Sequence, residues 1–349
     1  MNDHIPAHAV NLLNCLAESK EIDVKRLRKL AFYGINDEIS GLRPVIWRIM
    51  LGQWPSDTSK WEEILRSQRD MYEEYKQELI EKPKQQRQTQ LSQKKDHPLA
   101  NNQDSSWKQF YDDKQILEEI EKDVKRTRVE LSFFYQALDR DRNTFQDLQR
   151  LEMQARTKKS DLTPDDVKYY IESHIDCLAR VLFIYAKLNK GIRYVQGMNE
   201  VIAVLYYCFW KYGNEAVIST QYLESDLFFC FSNLMAELKD GFMRDMDRED
   251  IGIQGKCRRI EQIIKAVSPP IHQKMRSEKI ETQYYALRWV MLLMCQDFEM
   301  PNCIRLWDTL LADEERFDFL NYVCATVVLS IQDTILTGDF AVILETLQK

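Results

Sequence analysis

The sequence contains little glycine and little proline. Of its 349 residues, 10 are glycine and 9 are proline, whereas average usage is about 7% and about 5%. Scarce turn-forming residues favour long helices, and no glycine-rich P-loop is present. No segment alternates apolar and polar residues over a length that would build a sheet. The sequence therefore predicts an all-α protein.

Cysteine and histidine occur without the spacings that bind metals. The eight cysteines are scattered and form no C-x-x-C pair, and the five histidines form no H-E-x-x-H motif. These absences argue against a zinc site and against a disulfide framework. Several cysteines stand among large apolar residues, as Cys208 does between Tyr207 and Phe209. We expect reduced cysteines in the core.

The chain also lacks a basic excess and a long apolar run. Its formal net charge is −7, so we expect no nucleic-acid partner. No apolar run reaches the about 18 residues that indicate a transmembrane helix. The first residues show no basic segment followed by an apolar one, as a secretory signal would. We therefore expect a cytoplasmic protein without a transmembrane segment.

A charged segment carries the first candidate functional residue. Residues 113–128 begin with acidic and end with basic side chains, an order that the helix dipole favours, so they are predicted to be helical. The spacing places Ile120, Asp123 and Arg126 on a slow spiral from a buried face to its rim. Asp123 is then close enough to hold the Arg126 guanidinium. In a charge-rich chain, such a pair is more often a solvated helix face.

The second candidate lies in a loop after a predicted helix. Thr163 as N-cap and Pro164 at the first helical position start that helix, and apolar periodicity continues to Leu188. The loop contains Tyr194 and Gln196 in the run Tyr-Val-Gln-Gly-Met-Asn-Glu. An apolar helix follows, so the glutamine is braced on both sides and can be held in position.

Together, these two segments resemble the TBC domain, the catalytic module of GTPase-activating proteins for Rab GTPases. The I-x-x-D-x-x-R motif of that family is complete in Ile120, Asp123 and Arg126, and its Y-x-Q motif is complete in Tyr194 and Gln196. Further blocks, including R-W and L-W-D, follow in the family's order. The run Phe-Phe-Cys-Phe-Ser-Asn-Leu-Met is most similar to the subfamily of TBC domain member thirteen.

The resemblance implies an activator of an enzyme rather than an enzyme. Arg126 would stabilise charge on the transferred phosphoryl group, and Gln196 would orient the attacking water, both acting in trans. The implied partner is a Rab-family small GTPase in its GTP-bound form. That partner would carry GTP and Mg²⁺, so no cofactor of its own is expected, and it would recruit the protein to endomembranes.

Six further residues are interpreted as supporting or structural: Asp123, Tyr194, Asn199, Ile120, Gly197 and Arg43. Asp123 would orient Arg126, whereas Tyr194 and Asn199 would support the glutamine loop. Asn199 is equally well explained as a helix N-cap, and Tyr194 as an ordinary core residue. Arg43, in the opening Gly-Leu-Arg block, is interpreted as structural.

Two other functions stay open. A TBC-like module can bind a GTP-loaded Rab as an effector or scaffold without accelerating hydrolysis, although the presence of both Arg126 and Gln196 argues against that. An unrelated helical scaffold would require the ordered blocks to be coincidence. A partner whose binding ignores the nucleotide state would indicate such a scaffold.

Two helical lobes are expected. Residues 1–24 are predicted to be an N-terminal helical extension, residues 25–225 a first lobe with both candidate catalytic residues, and residues 226–349 a second lobe. Residues 84–106 are rich in Gln, Lys, Asn and Ser and are predicted to be a mobile loop. Residues 136–163 are interpreted as an insertion between the two motifs.

Overall fold

The computed structural model describes residues 6–83, 106–138, 172–213, 220–242 and 252–348. Within these residues the regular structure is helical, with fifteen α-helices and no β-strand, which confirms the all-α prediction. The predicted loop at 84–106 and the insertion at 136–163 lie almost wholly outside the described residues. None of the described helices combines the length and the apolar character needed to cross a membrane.

The helices are numbered in chain order. They are α1 (Ala7–Ala17), α2 (Val24–Ala31), α3 (Leu42–Met50), α4 (Trp61–Lys76), α5 (Ser106–Val124), α6 (His174–Leu188), α7 (Met198–Tyr212), α8 (Leu223–Phe242), α9 (Ile253–Val267), α10 (Pro269–Ser277), α11 (Gln283–Met291), α12 (Met300–Ala312), α13 (Phe319–Ser330), α14 (Gln332–Thr337) and α15 (Phe340–Gln348). A 3₁₀ turn, Thr58–Lys60, precedes α4, and a π-helical segment, Gln77–Glu81, follows it.

The chain divides into two compact units. Unit 1 consists of Met1–Trp61, Tyr207–Ile218 and Cys230–Lys349, and unit 2 consists of Glu62–Tyr206 and Ser219–Phe229. The predicted boundaries after residues 24 and 225 are not the boundaries of these units. Residues 25–61 belong with the C-terminal helices because α2 and α3 pack against α12. Both candidate catalytic residues belong to unit 2.

A buried ionic cluster holds the first helices of unit 1 to α12. The Asp308 carboxylate is fully buried and accepts hydrogen bonds from Arg43 Nε (3.0 Å) and Trp47 Nε1 (2.8 Å). The Arg43 guanidinium also bonds to Asp37 and to the Ile35 carbonyl. Burial is the largest single influence and acts to lower the pKa of Arg43, but the charge of Asp308 and the hydrogen bonds to Asp308 and Asp37 together raise that pKa. Arg43 is therefore a charged residue of the core, as its structural interpretation requires.

Helix α6 is a largely buried helix of unit 2. All but a few of its side chains are buried, and α5 packs along it. Its start is held by Asp176, whose carboxylate accepts from both the backbone N–H and the hydroxyl of Ser173 at 2.8 Å. The continuous helix predicted from Thr163 to Leu188 is therefore wrong, because Ser173 precedes the first helical residue. Thr163 and Pro164 themselves lie outside the described residues.

Candidate functional site

Arg126 lies in a turn and not, as predicted, in a helix that continues to Arg128. Helix α5 ends at Val124, and residues 125–130, called here the arginine turn, follow it. Their hydrogen bonds are those of a tighter winding, from Arg126 N to Asp123 O (3.0 Å) and from Thr127 N to Val124 O (3.1 Å). The helix cannot continue through Arg128, whose φ of 47° is left-handed.

The Arg126 guanidinium is held by two groups and still faces solvent. Its Nη2 donates to Asp123 Oδ1 at 2.6 Å, and its Nε donates to the Lys122 carbonyl at 3.1 Å. The Arg126 side chain is 67% exposed, whereas that of Asp123 is 10% exposed. Ile120 is fully buried on the same helix. The arrangement orders the guanidinium through Nε and Nη2 and still leaves most of the side chain exposed to solvent.

Gln196 occupies a second turn, residues 194–197, called here the glutamine turn. The turn closes through a hydrogen bond from Met198 N to Val195 O (3.1 Å), and α7 begins directly after it. Gly197 has a φ of 102°, which a residue with a Cβ rarely adopts. The Gln196 side chain is exposed, and no described residue is hydrogen-bonded to its amide. The exposed amide can therefore bind a partner or water.

Asp123 connects the two turns. Its Oδ1 receives the hydrogen bond from Arg126, and its Oδ2 receives one from the Tyr194 hydroxyl at 2.8 Å. Burial and the hydrogen bond to Asp123 raise the pKa of Tyr194 well above its usual value. The phenol consequently stays protonated and acts as a donor. Tyr194 is thus a partner of Asp123 as well as a partly buried residue.

Asn199 contacts both turns through its side-chain amide. Its Oδ1 accepts from Gly197 N (3.1 Å), and its Nδ2 donates to Thr127 Oγ1 (2.8 Å). The alternative interpretation of Asn199 as an N-cap is wrong, because α7 begins at Met198 and Asn199 is its second residue. The side chain reaches back from the first helical turn instead of capping it.

Sequence reasoning missed three residues that complete this site. Thr127 is fully buried under the arginine turn. Arg128 and Glu200 are both buried, and Arg128 Nε lies 3.5 Å from Glu200 Oε2. The partners are far apart in sequence, so no local spacing identifies them. Only the adjacency of Thr127 and Arg128 to Arg126, and of Glu200 to Asn199, is a sequence signal.

One group in the described part of the chain has the composition of a metal site. Ligand atoms of Glu172, Cys177 and Glu224 lie within 4.8 Å of one another, and all three residues are buried. However, the Arg180 guanidinium lies among them and bonds to both carboxylates. The arginine already supplies the positive charge, so this cluster is an internal ion pair and not a cation site.

The fold is shared with two solved structures. The Ypt/Rab-GAP domain of Gyp1p aligns with a TM-score of 0.68 and 20% identity, covering 98% of this chain and 90% of that chain. The Chlamydomonas flagellar RabGAP TBC domain aligns with a TM-score of 0.52 and 15% identity, covering 99% and 90% respectively. At these identities the likeness concerns the fold alone.

Sequence comparisons identify the family. Human TBC1 domain family member 13 is 36% identical over 94% of this chain and 90% of its own length. A TBC domain-containing protein of Schizosaccharomyces pombe is 29% identical over 95% of this chain and 68% of its own length. The Rab-GTPase-TBC domain model matches residues 136–336, a span that includes the glutamine turn and begins after Arg126. The chain belongs to the Rab-GTPase-TBC domain family.

Proposed function

We propose that this protein accelerates GTP hydrolysis by Rab-family small GTPases in their GTP-bound form, with Arg126 and Gln196 supplied in trans. One observation carries the proposal. The exposed guanidinium of Arg126 and the turn that presents Gln196 are fixed to the same carboxylate, that of Asp123, at 2.6 Å and, through Tyr194, at 2.8 Å. Membership in the Rab-GTPase-TBC domain family supports it.

Arg126 has the chemistry needed to stabilise the transition state of phosphoryl transfer. The transition state spreads negative charge over the phosphoryl oxygens, and a guanidinium supplies a permanent charge in a planar fork that binds two oxygens. The bonds from Arg126 to Asp123 and to the Lys122 carbonyl order the side chain before any partner arrives. Such pre-organisation reduces the conformational entropy lost when the complex forms.

Gln196 suits the orientation of the attacking water. A carboxamide offers an acceptor oxygen and two donor hydrogens, so it can bind a water molecule and a backbone group together. The side chain is exposed and the residue after it, Gly197, is buried, so the turn is anchored while the amide points outward. The GTPase would bring the nucleotide and Mg²⁺, and its membrane would be the place of action.

The experiment is single-turnover GTP hydrolysis by a panel of purified Rabs with the wild-type protein, Arg126→Ala and Gln196→Ala. Arg66→Ala and Gln115→Ala serve as matched controls, because both residues are exposed on helices of unit 2 and, among the described residues, each is hydrogen-bonded along its own helix. We expect at least one Rab to be accelerated by the wild type and by both controls, and each test variant to lose most of that acceleration.

Two results would contradict the proposal. If Arg126→Ala accelerates the same Rab as well as the wild type does, the arginine has no catalytic role. If Rabs bind in the GTP-bound form and none of the panel is accelerated, the protein is a binding module, as in the effector alternative.

A further inference from the structure

A hydrogen-bonded chain joins the two turns independently of Asp123's carboxylate. It begins at Gly197 N in the glutamine turn, which donates to Asn199 Oδ1 at 3.1 Å. The other end of the same amide, Asn199 Nδ2, donates to Thr127 Oγ1 at 2.8 Å. Thr127 Oγ1 donates in turn to the Asp123 carbonyl at 3.1 Å. The direction of every bond in this chain is fixed, because the amide nitrogen only donates and the carbonyl only accepts.

Every residue of this hydrogen-bonded series is shielded from water. Thr127 is fully buried, and Asn199 is 5% exposed. A hydrogen bond in such surroundings is costly to lose, because a buried donor without a partner keeps its full desolvation penalty. Sliding one turn relative to the other would break these bonds. These hydrogen bonds therefore hold the two turns at a fixed separation more firmly than exposed contacts would.

The arginine turn is also held on its other side. The Tyr135 hydroxyl lies 3.1 Å from the Lys125 carbonyl and 3.2 Å from the Thr127 carbonyl. Arg128, which follows Thr127, also forms an ion pair with Glu200, which follows Asn199. These additional contacts mean that removing one hydroxyl from Thr127 leaves the turn attached, so a variant at this position tests positioning and not folding.

We propose that Asn199 and Thr127 are positioning residues that hold Arg126 and Gln196 at the separation that one phosphoryl group requires. The inference rests on the proposed function and deepens it. Neither side chain is exposed, so neither touches the reacting atoms, and each acts through the turn to which it is bonded. The effect of a misplaced catalytic group is on the rate of the bound complex and not on the affinity for the GTPase.

The test compares Thr127→Val with Thr127→Ser. Valine has nearly the shape of threonine and removes the hydroxyl, whereas serine keeps the hydroxyl and removes the methyl group. In single-turnover hydrolysis, we expect Thr127→Val to lower the saturating rate about tenfold. The half-saturating protein concentration should stay close to that of the wild type. Thr127→Ser should retain most of the rate.

A second readout does not depend on hydrolysis. Hydrogen exchange at the Gly197 amide reports whether the glutamine turn is held, because that amide donates to Asn199. We expect Thr127→Val to accelerate exchange at Gly197, although Thr127 makes no bond to Gly197 itself, and Thr127→Ser to leave it near the wild-type rate. Asn199→Ala removes the acceptor of the Gly197 amide, so its exchange rate at Gly197 is the upper limit for this comparison.

The two readouts separate failure of this inference from failure of the proposed function. If the wild type accelerates a Rab while Thr127→Val keeps both the rate and the Gly197 exchange of the wild type, the inference is overturned. Equal losses in Thr127→Val and Thr127→Ser with a lowered unfolding midpoint would also overturn it, since they would indicate general destabilisation. If the wild type accelerates no Rab, faster Gly197 exchange in Thr127→Val still supports the link between the turns.

Discussion

Two aspartate–arginine pairs in this chain share their chemistry and differ in exposure. In unit 1, Asp308 binds Arg43, whose side chain is 3% exposed; in unit 2, Asp123 binds Arg126, whose side chain is 67% exposed. Each aspartate also accepts from an aromatic donor at 2.8 Å, Trp47 and Tyr194 respectively. Both guanidinium groups donate to protein groups, but that of Arg43 is enclosed in the core, whereas that of Arg126 is also exposed to solvent.

The difference in exposure predicts that breaking the first pair lowers stability, whereas breaking the second pair lowers activity. Removing one partner of a buried ion pair typically costs about 3–5 kcal/mol, because the other charge stays buried and uncompensated. Exposed pairs contribute about 0–1 kcal/mol. In the pair of Asp123 and Arg126 only the arginine is exposed, but Asp123 keeps the hydrogen bond from Tyr194 when Arg126 is removed. The pair of Arg43 and Asp308 should therefore maintain the fold, and the pair of Asp123 and Arg126 should contribute mainly to activity.

Arg126→Ala should produce the largest effect and should separate the two pairs most clearly. We expect it to reduce GTPase acceleration by about 10³-fold or more, as removal of a trans arginine does. The unfolding midpoint should stay at the wild-type value, because little buried contact is lost. Single-turnover hydrolysis and thermal unfolding on the same preparation measure both quantities, with Arg66→Ala as the control. A large drop in the midpoint would show that Arg126 is structural.

Asp308→Asn should show the reverse behaviour. The substitution keeps the shape and removes the charge that compensates Arg43, so we expect the free energy of unfolding to fall by about 3 kcal/mol. Urea unfolding measures the loss, and Asp70→Asn on the exposed side of α4 is the matched control. At a temperature where the variant is folded, its acceleration of hydrolysis should be close to that of the wild type. Wild-type stability in Asp308→Asn would contradict the comparison.

Gln196→Ala sharpens the comparison within unit 2. We expect a loss of about 10²-fold in the saturating rate, the order found when one transition-state hydrogen-bonding group is removed. Stability should not change, since the side chain is exposed. Gln115→Ala is the control, and single-turnover hydrolysis is the measurement. A rate equal to that of the control would remove Gln196 from the mechanism.

Tyr194→Phe should produce the smallest of these effects. It removes one hydrogen bond to Asp123 and retains the ring, so we expect a loss of about tenfold in the saturating rate. Because burial raises the pKa of Tyr194, its phenol keeps its proton as pH rises. Ionisation of this group should therefore cause no loss of wild-type acceleration between about pH 7 and about pH 9. A loss over that range that is absent in Tyr194→Phe would contradict this account.

Features set by local sequence were predictable. Helical periodicity and scarce turn formers indicated the all-α class, and the three-residue spacing indicated the contact between Asp123 and Arg126. The same spacing placed Ile120 in the core with Arg126 at the rim. Each of these depends on neighbours within one or two helical turns, which the sequence displays directly.

Features set by distant partners were not predictable. Helix α5 ends at Val124 although charged, helix-compatible residues follow it, and distant side chains bond to the turn instead, Tyr135 to the Lys125 carbonyl and Asn199 to the Thr127 hydroxyl. The grouping of α3 with the C-terminal helices in unit 1 likewise depends on a distant partner, since Arg43 of α3 binds Asp308 of α12. One sequence without its contacts offers no signal for such pairings.

The most direct test of this account is a side-by-side measurement of Arg126→Ala and Asp308→Asn on one Rab that the wild type accelerates. Single-turnover hydrolysis and the unfolding midpoint are recorded for both variants under the same buffer conditions. The account predicts lost acceleration with an unchanged midpoint for Arg126→Ala, and retained acceleration with a lowered midpoint for Asp308→Asn. Undiminished acceleration by Arg126→Ala would contradict the central claim.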